Sequence, residues 1–109
     1  MTPVILQTTS RFIHEYVIER YPILEREKIN SKERERKAPS RTLYSIIELE
    51  EAHLCEVLKE IPINTIRRDY YFIIDSKTKK PIKAFYMGRI YSGEELLDLE
   101  ILGIIKRQS

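Results

Sequence analysis

The chain has 109 residues, of which 42% are hydrophobic and 33% charged, with a formal net charge of +2. That length supports one core rather than two, the composition excludes a disordered chain, and so small a net charge does not by itself imply nucleic acid. No run approaches about 18 apolar residues, and the N-terminus lacks a basic segment leading into a long apolar one, so neither a membrane span nor a secretory leader is expected.

Val4 to Gln7 follows Pro3 and reads as a short strand, since proline is tolerated at a strand start. Thr8, Thr9 and Ser10 offer N-cap oxygens for a helix. Phe12, Ile13, Tyr16, Val17, Tyr21 and Leu24 recur at helical spacing, and Pro22 ends or kinks that helix near Tyr21. Residues 25–41 contain only Ile29 and Ala38 as apolar residues besides Pro39, and read as a charged connection inside a single domain spanning 1–109. Leu43 to Ile61 reads as a second helix. Its start is ambiguous, because Leu43 to Ile47 also suits a strand ahead of a helix from Glu48. Pro62 closes it.

The period then changes. Tyr70-Tyr71-Phe72-Ile73-Ile74 is aromatic and β-branched, as strands prefer. The segment from Ser76 to Pro81 is a turn entered by Asp75, whose carboxylate can accept the backbone N–H groups just ahead. Ile82 to Tyr91 is the returning strand. Ser92 and Glu95 form a capping box for a helix to about Leu102, with Gly103 as its left-handed end and Ile104 packing back onto Leu99. Residues 104–107 are a last short strand. The expected fold is an α+β two-layer sandwich with a four-stranded, mainly antiparallel sheet. Its helices lie on one face and its order is ferredoxin-like, βα(α)ββαβ.

Charge is distributed in blocks. Residues 24–41 hold seven Lys/Arg against four Glu, 42–66 hold one Lys against five Glu, and 67–91 hold seven Lys/Arg against two Asp. The strongest basic block therefore sits on the hairpin. If Ile82, Ala84, Tyr86 and Ile90 face the helices, then Lys83, Phe85, Met87, Arg89 and Tyr91 line the opposite face. Lys77, Lys79 and Lys80 crown the tip, and Arg67 and Arg68 precede the first strand. Cations holding phosphates beside aromatics that stack bases is the pattern of single-strand nucleic-acid binders. On this reading Arg67, Arg68, Lys77, Lys79, Lys80, Lys83 and Arg89 contact phosphates, and Phe85 and Tyr91 stack. A half-apolar open face also suits a homodimer, another protein partner, or cover by the chain's own second helix.

Thr65-Ile66-Arg67-Arg68-Asp69 resembles the start of a recognition helix in winged-helix repressors of sugar operons, with the hairpin as the wing. Lys59-Glu60 stands where that family has a glycine turn, Pro62 interrupts the turn, and the chain turns β at Tyr70. The alternative is a loop feeding a strand.

Chemistry-bearing residues do not form a set. His53 and Cys55 lie on different sides of a helix, His14 is the other histidine, and four ligands for a tetrahedral metal site are lacking. Cys55 reads as a small buried side chain. Glu48, Glu51 and Glu56 read as a solvated acidic face, and no phosphate-cradling glycine loop occurs. The expectation is a non-catalytic binding or regulatory module without a cofactor. The single cysteine suits a reducing, cytoplasmic location. The scarcity of Asn and Gln beside abundant Glu, Lys, Arg and Ile is the bias of hyperthermophiles, pointing to an archaeal or viral source.

Overall fold

The computed structural model describes residues 2–27 and 45–97. The expected charged connection beyond residue 27, the helix end near 102, the Gly103 terminus and the strand over 104–107 lie outside the described residues.

The chain folds as an α+β domain around one antiparallel sheet. The elements are β1 (Pro3–Thr8), α1 (Arg11–Arg20), β2 (Glu25–Glu27), β3 (Ser45–Glu50), α2 (Glu51–Glu60), β4 (Tyr71–Asp75), β5 (Pro81–Tyr86) and β6 (Arg89–Ser92). Short 3₁₀ turns cover Ile63–Thr65 and Gly93–Leu97. Five strands of four to six residues are extended at one edge by the three-residue β2, giving the order β2-β3-β1-β4-β5-β6. Every neighbouring pair is antiparallel.

This differs from the expected ferredoxin-like order. Ser45–Glu50 is a strand rather than the first turns of a helix, and it lies directly beside β1, with Leu6 opposite Ile47. Its apolar residues satisfy both periods. Ile47 and Leu49 alternate onto one face, and that alternation buries them completely against the helices. Because β3 and β4 both run antiparallel to β1, they are parallel to each other across it. Helix α2 makes the crossover that such a connection requires.

Both helices pack on one face. Ile13 and Val17 of α1 and Leu54 and Val57 of α2 meet Val4, Leu6, Ile47, Leu49, Tyr71, Ile73 and Phe85 of the sheet. As expected from Thr8-Thr9-Ser10, Ser10 caps α1, its Oγ accepting the Ile13 N–H at 3.1 Å. The opposite face carries Tyr70, Phe72, Ile74, Ala84 and Tyr86, which pack with Leu96. The expected helix from Ser92 begins instead as the 3₁₀ turn over Gly93–Leu97.

Candidate nucleic-acid interface

The expected returning strand is in fact two strands. Tyr86 and Arg89 are paired across a two-residue turn in which Met87 (φ 53°) and Gly88 (φ 76°) are both left-handed. This is the geometry that matches the twist of a tight hairpin, and glycine supplies the second position without strain. Upstream, the β4–β5 register shifts between Ile73, opposite Lys83, and Ile74, opposite Pro81. Pro81 has no N–H to give to the ladder, so a bulge at this point costs little.

These two features decide which side chains share a face. The bulge slips the alternation by one, so Ile82 and Lys83 both lie on the helix side, Ala84 and Tyr86 turn away, and Phe85 turns inward. A one-residue slip inverts every later side chain. The two-residue turn inverts the alternation once more, so Arg89 and Tyr91 are on the face away from the helices. The expected common face of Lys83, Phe85, Arg89 and Tyr91 is therefore corrected. Phe85 is 1% exposed and stacks on Tyr71 at 5.5 Å between ring centroids. Lys83 is half-buried in a cleft beneath α2. Tyr91 is half-buried against the Tyr70–Phe72 cluster, and Arg89 lies 4.9 Å from its ring centroid while pairing with Glu95.

The remaining cations form two exposed turns at opposite ends of β4. Five strand residues at roughly 3.3 Å each put about 16 Å between them. At one end, Arg67 and Arg68 sit on a turn anchored from both sides. Ile66 is buried in the helix-side core, and its carbonyl accepts the Asp69 N–H at 3.0 Å. Thr9 Oγ1 donates to Asp69 Oδ1 at 3.1 Å and accepts the Tyr70 N–H at 3.1 Å. Thr8 Oγ1 donates to the Tyr70 carbonyl at 2.8 Å and accepts the Ser10 N–H at 3.0 Å. Arg67 and Arg68 thus stand on a turn ahead of a strand, and no recognition helix forms there.

At the other end, Asp75 organises the turn as its sequence implies. Its Oδ1 accepts the N–H groups of Lys77 and Thr78, both at 2.9 Å. The Thr78 N–H, foremost, holds the Asp75 carboxyl below the ordinary aspartate range; desolvation opposes this and the Lys77 N–H and charge reinforce it. Lys79 adopts φ 62°, and Lys77, Lys79 and Lys80 are all exposed. The Ser76 hydroxyl donates to Glu48 at the base of the turn. None of Arg67, Arg68, Lys77, Lys79 and Lys80 forms an ion pair with another described residue.

The acidic residues are engaged elsewhere. Tyr16 donates to Glu60, and that hydrogen bond raises the Tyr16 pKa above its ordinary value. Tyr21 donates to Glu56 at 3.3 Å, and its pKa is also raised, by desolvation first and by Glu56 second. These contacts tie α1 to α2. Cys55 is exposed, correcting the expectation of a buried thiol. It stands next to the buried Leu54 on α2, on the rim of the same cleft that Lys83 lines. His53 rests against the Tyr21 ring at 5.1 Å, and His14 is buried on α1. Among the described residues no group of three or more His, Cys, Asp or Glu side chains is placed to hold a metal ion, and no helix is long and apolar enough to cross a membrane.

No protein-family model, curated protein or solved structure matches the chain.

Proposed function

We propose that the protein is a non-catalytic binding module that holds the phosphate backbone of nucleic acid through its two basic turns, and that it works as a homodimer. The observation that supports this reading is the pair of turns at the two ends of β4, with five exposed cations that form no ion pair with a described acidic residue. Each turn is set by hydrogen bonds before any ligand arrives, so little ordering cost opposes binding. Phosphate contacts position a protein on nucleic acid without reading sequence. Phe85 is buried and cannot stack on a base, so the expected recognition is of charge and backbone shape.

A second reading places a protein on the same module and no nucleic acid. It rests on Met87 and Ile90, which are 68% and 47% exposed at the β5–β6 corner, where the second strand also carries Arg89 of the Arg89–Glu95 ion pair. In the first reading this corner is where a second copy packs.

Fluorescence anisotropy with labelled single-stranded and duplex DNA and RNA separates the two. Binding at about 50 mM salt that weakens linearly in log–log form as salt rises is expected, because counterions are released with each phosphate contact. No binding to any of the four probes at that salt overturns the first reading. Sedimentation of the free protein reads the dimer directly, and a monomer at binding concentrations overturns that part.

A further inference from the structure

The bulge that removes Lys83 from the basic surface delivers it somewhere specific. Between α2 and the β4–β5 pair lies a cleft of about 220 Å³, lined by Glu51, Leu54, Cys55, Ile73, Ile82 and Lys83. Leu54, Ile73 and Ile82 are apolar, and Ile82 and Lys83 reach the same side only because the register slips between Ile73 and Ile74. Bulges recur where a side chain must be re-aimed beside a functional site. Glu51 and Lys83 are both half-buried, and neither forms an ion pair with a described residue. An acidic and a basic side chain that line one largely apolar cleft without pairing with each other leave both charges open to a ligand. The ligand that complements them carries both charges itself.

We propose that this cleft binds a small apolar α-amino acid as a zwitterion. Its carboxylate meets Lys83, its ammonium meets Glu51, and its side chain lies against Leu54, Ile73 and Ile82. The size is suitable, since an apolar cavity of about 150 Å³ holds benzene and the cleft is somewhat larger. A lone carboxylate would face Glu51 and a lone amine would face Lys83, so each one-charge analogue meets a repulsion that the zwitterion avoids. The site lies on the helix side of the sheet, apart from both basic turns, and does not depend on the nucleic-acid reading.

Cys55 lines the cleft and is the chain's one cysteine, so its alkylation reports occupancy. The rate of iodoacetamide modification is measured on the full chain with L-leucine, with 4-methylpentanoate, which lacks the ammonium, and with 3-methylbutylamine, which lacks the carboxylate. Leucine titrated through the millimolar range is expected to slow alkylation, by about tenfold at ten times its Kd. The two analogues at the same concentrations are expected to protect far less, and Lys83→Met and Glu51→Gln each to abolish protection by leucine. An unchanged rate at every leucine concentration overturns the site. Equal protection by either analogue, or full protection of Lys83→Met, overturns the zwitterion. The analogue series uses only the unaltered protein and decides the question even if a variant fails to fold.

Discussion

The two basic turns at the ends of β4 look alike in charge and differ in how they are held. The Arg67–Arg68 turn is fixed by tertiary contacts. A buried Ile66, the Thr8 and Thr9 hydroxyls of the β1–α1 junction and the Asp69 carboxylate all converge on it. The turn bearing Lys77, Lys79 and Lys80 is fixed chiefly by its own Asp75, with Ser76 fastening the base to Glu48. One turn is a product of the fold and the other mainly of its own residues 75–80. Charge of the same sign therefore need not mean equal sensitivity to mutation: the first turn should fail when the core is disturbed, the second chiefly when Asp75 is.

The largest effect is expected in the ladder that spaces the two turns. Phe85→Ala removes a fully buried ring stacked on Tyr71 and should destabilise the protein by about 3–5 kcal/mol in chemical unfolding. A cost below about 0.5 kcal/mol, normal for a surface position, would place Phe85 on the exposed face and restore a stacking role. Next comes Thr8→Val, which keeps the volume but leaves the buried Ser10 N–H without its acceptor and removes the hydrogen bond to the Tyr70 carbonyl. About 2 kcal/mol is expected, together with faster amide hydrogen exchange at Asp69 and Tyr70 and no change at Lys77 and Thr78. Exchange rising equally at both turns would erase the distinction between them.

Asp75 gives a smaller effect with a defined pH window. Its folded-state pKa is depressed, so its contribution is present above the ordinary carboxylate range and is lost as pH falls through the lowered value. The thermal midpoint of the wild type should fall toward that of Asp75→Ala as pH drops below about 4. A constant gap between the two proteins down to strong acid would contradict the assignment. Smallest of all is Glu15→Ala. It removes an exposed i,i+4 pair with Arg11 at 2.8 Å and should cost no more than about 0.5 kcal/mol in the same unfolding measurement.

What is legible in the sequence follows the same division between local and tertiary causes. The Ser10 cap, the end of α1 near Pro22, the strand from Tyr71 and the Asp75 turn are each dictated by a few neighbouring residues, and each is where the pattern puts it. Ser45–Glu50 is ambiguous in sequence because its apolar residues fit a helix and a strand equally, and only pairing with β1 decides between them. The faces of the hairpin turn on a single register slip that strict alternation does not anticipate. Pro81 and Gly88 carry its signal: one cannot complete a ladder, and the other suits the second position of a tight turn. The cleft beneath α2 is not legible, since Lys83 joins Glu51 and Cys55 in its lining only after the slip is made.

Whether both turns hold phosphates at once is tested most directly by the salt dependence of duplex binding. It should be compared among the wild type, the triple Lys77→Ala, Lys79→Ala, Lys80→Ala variant and the double Arg67→Ala, Arg68→Ala variant. The log–log slope is predicted to shrink by about three in the first variant and about two in the second, one for each phosphate no longer neutralised. A slope unchanged in both variants would contradict the two-turn interface. A change confined to one variant would reduce the interface to a single turn.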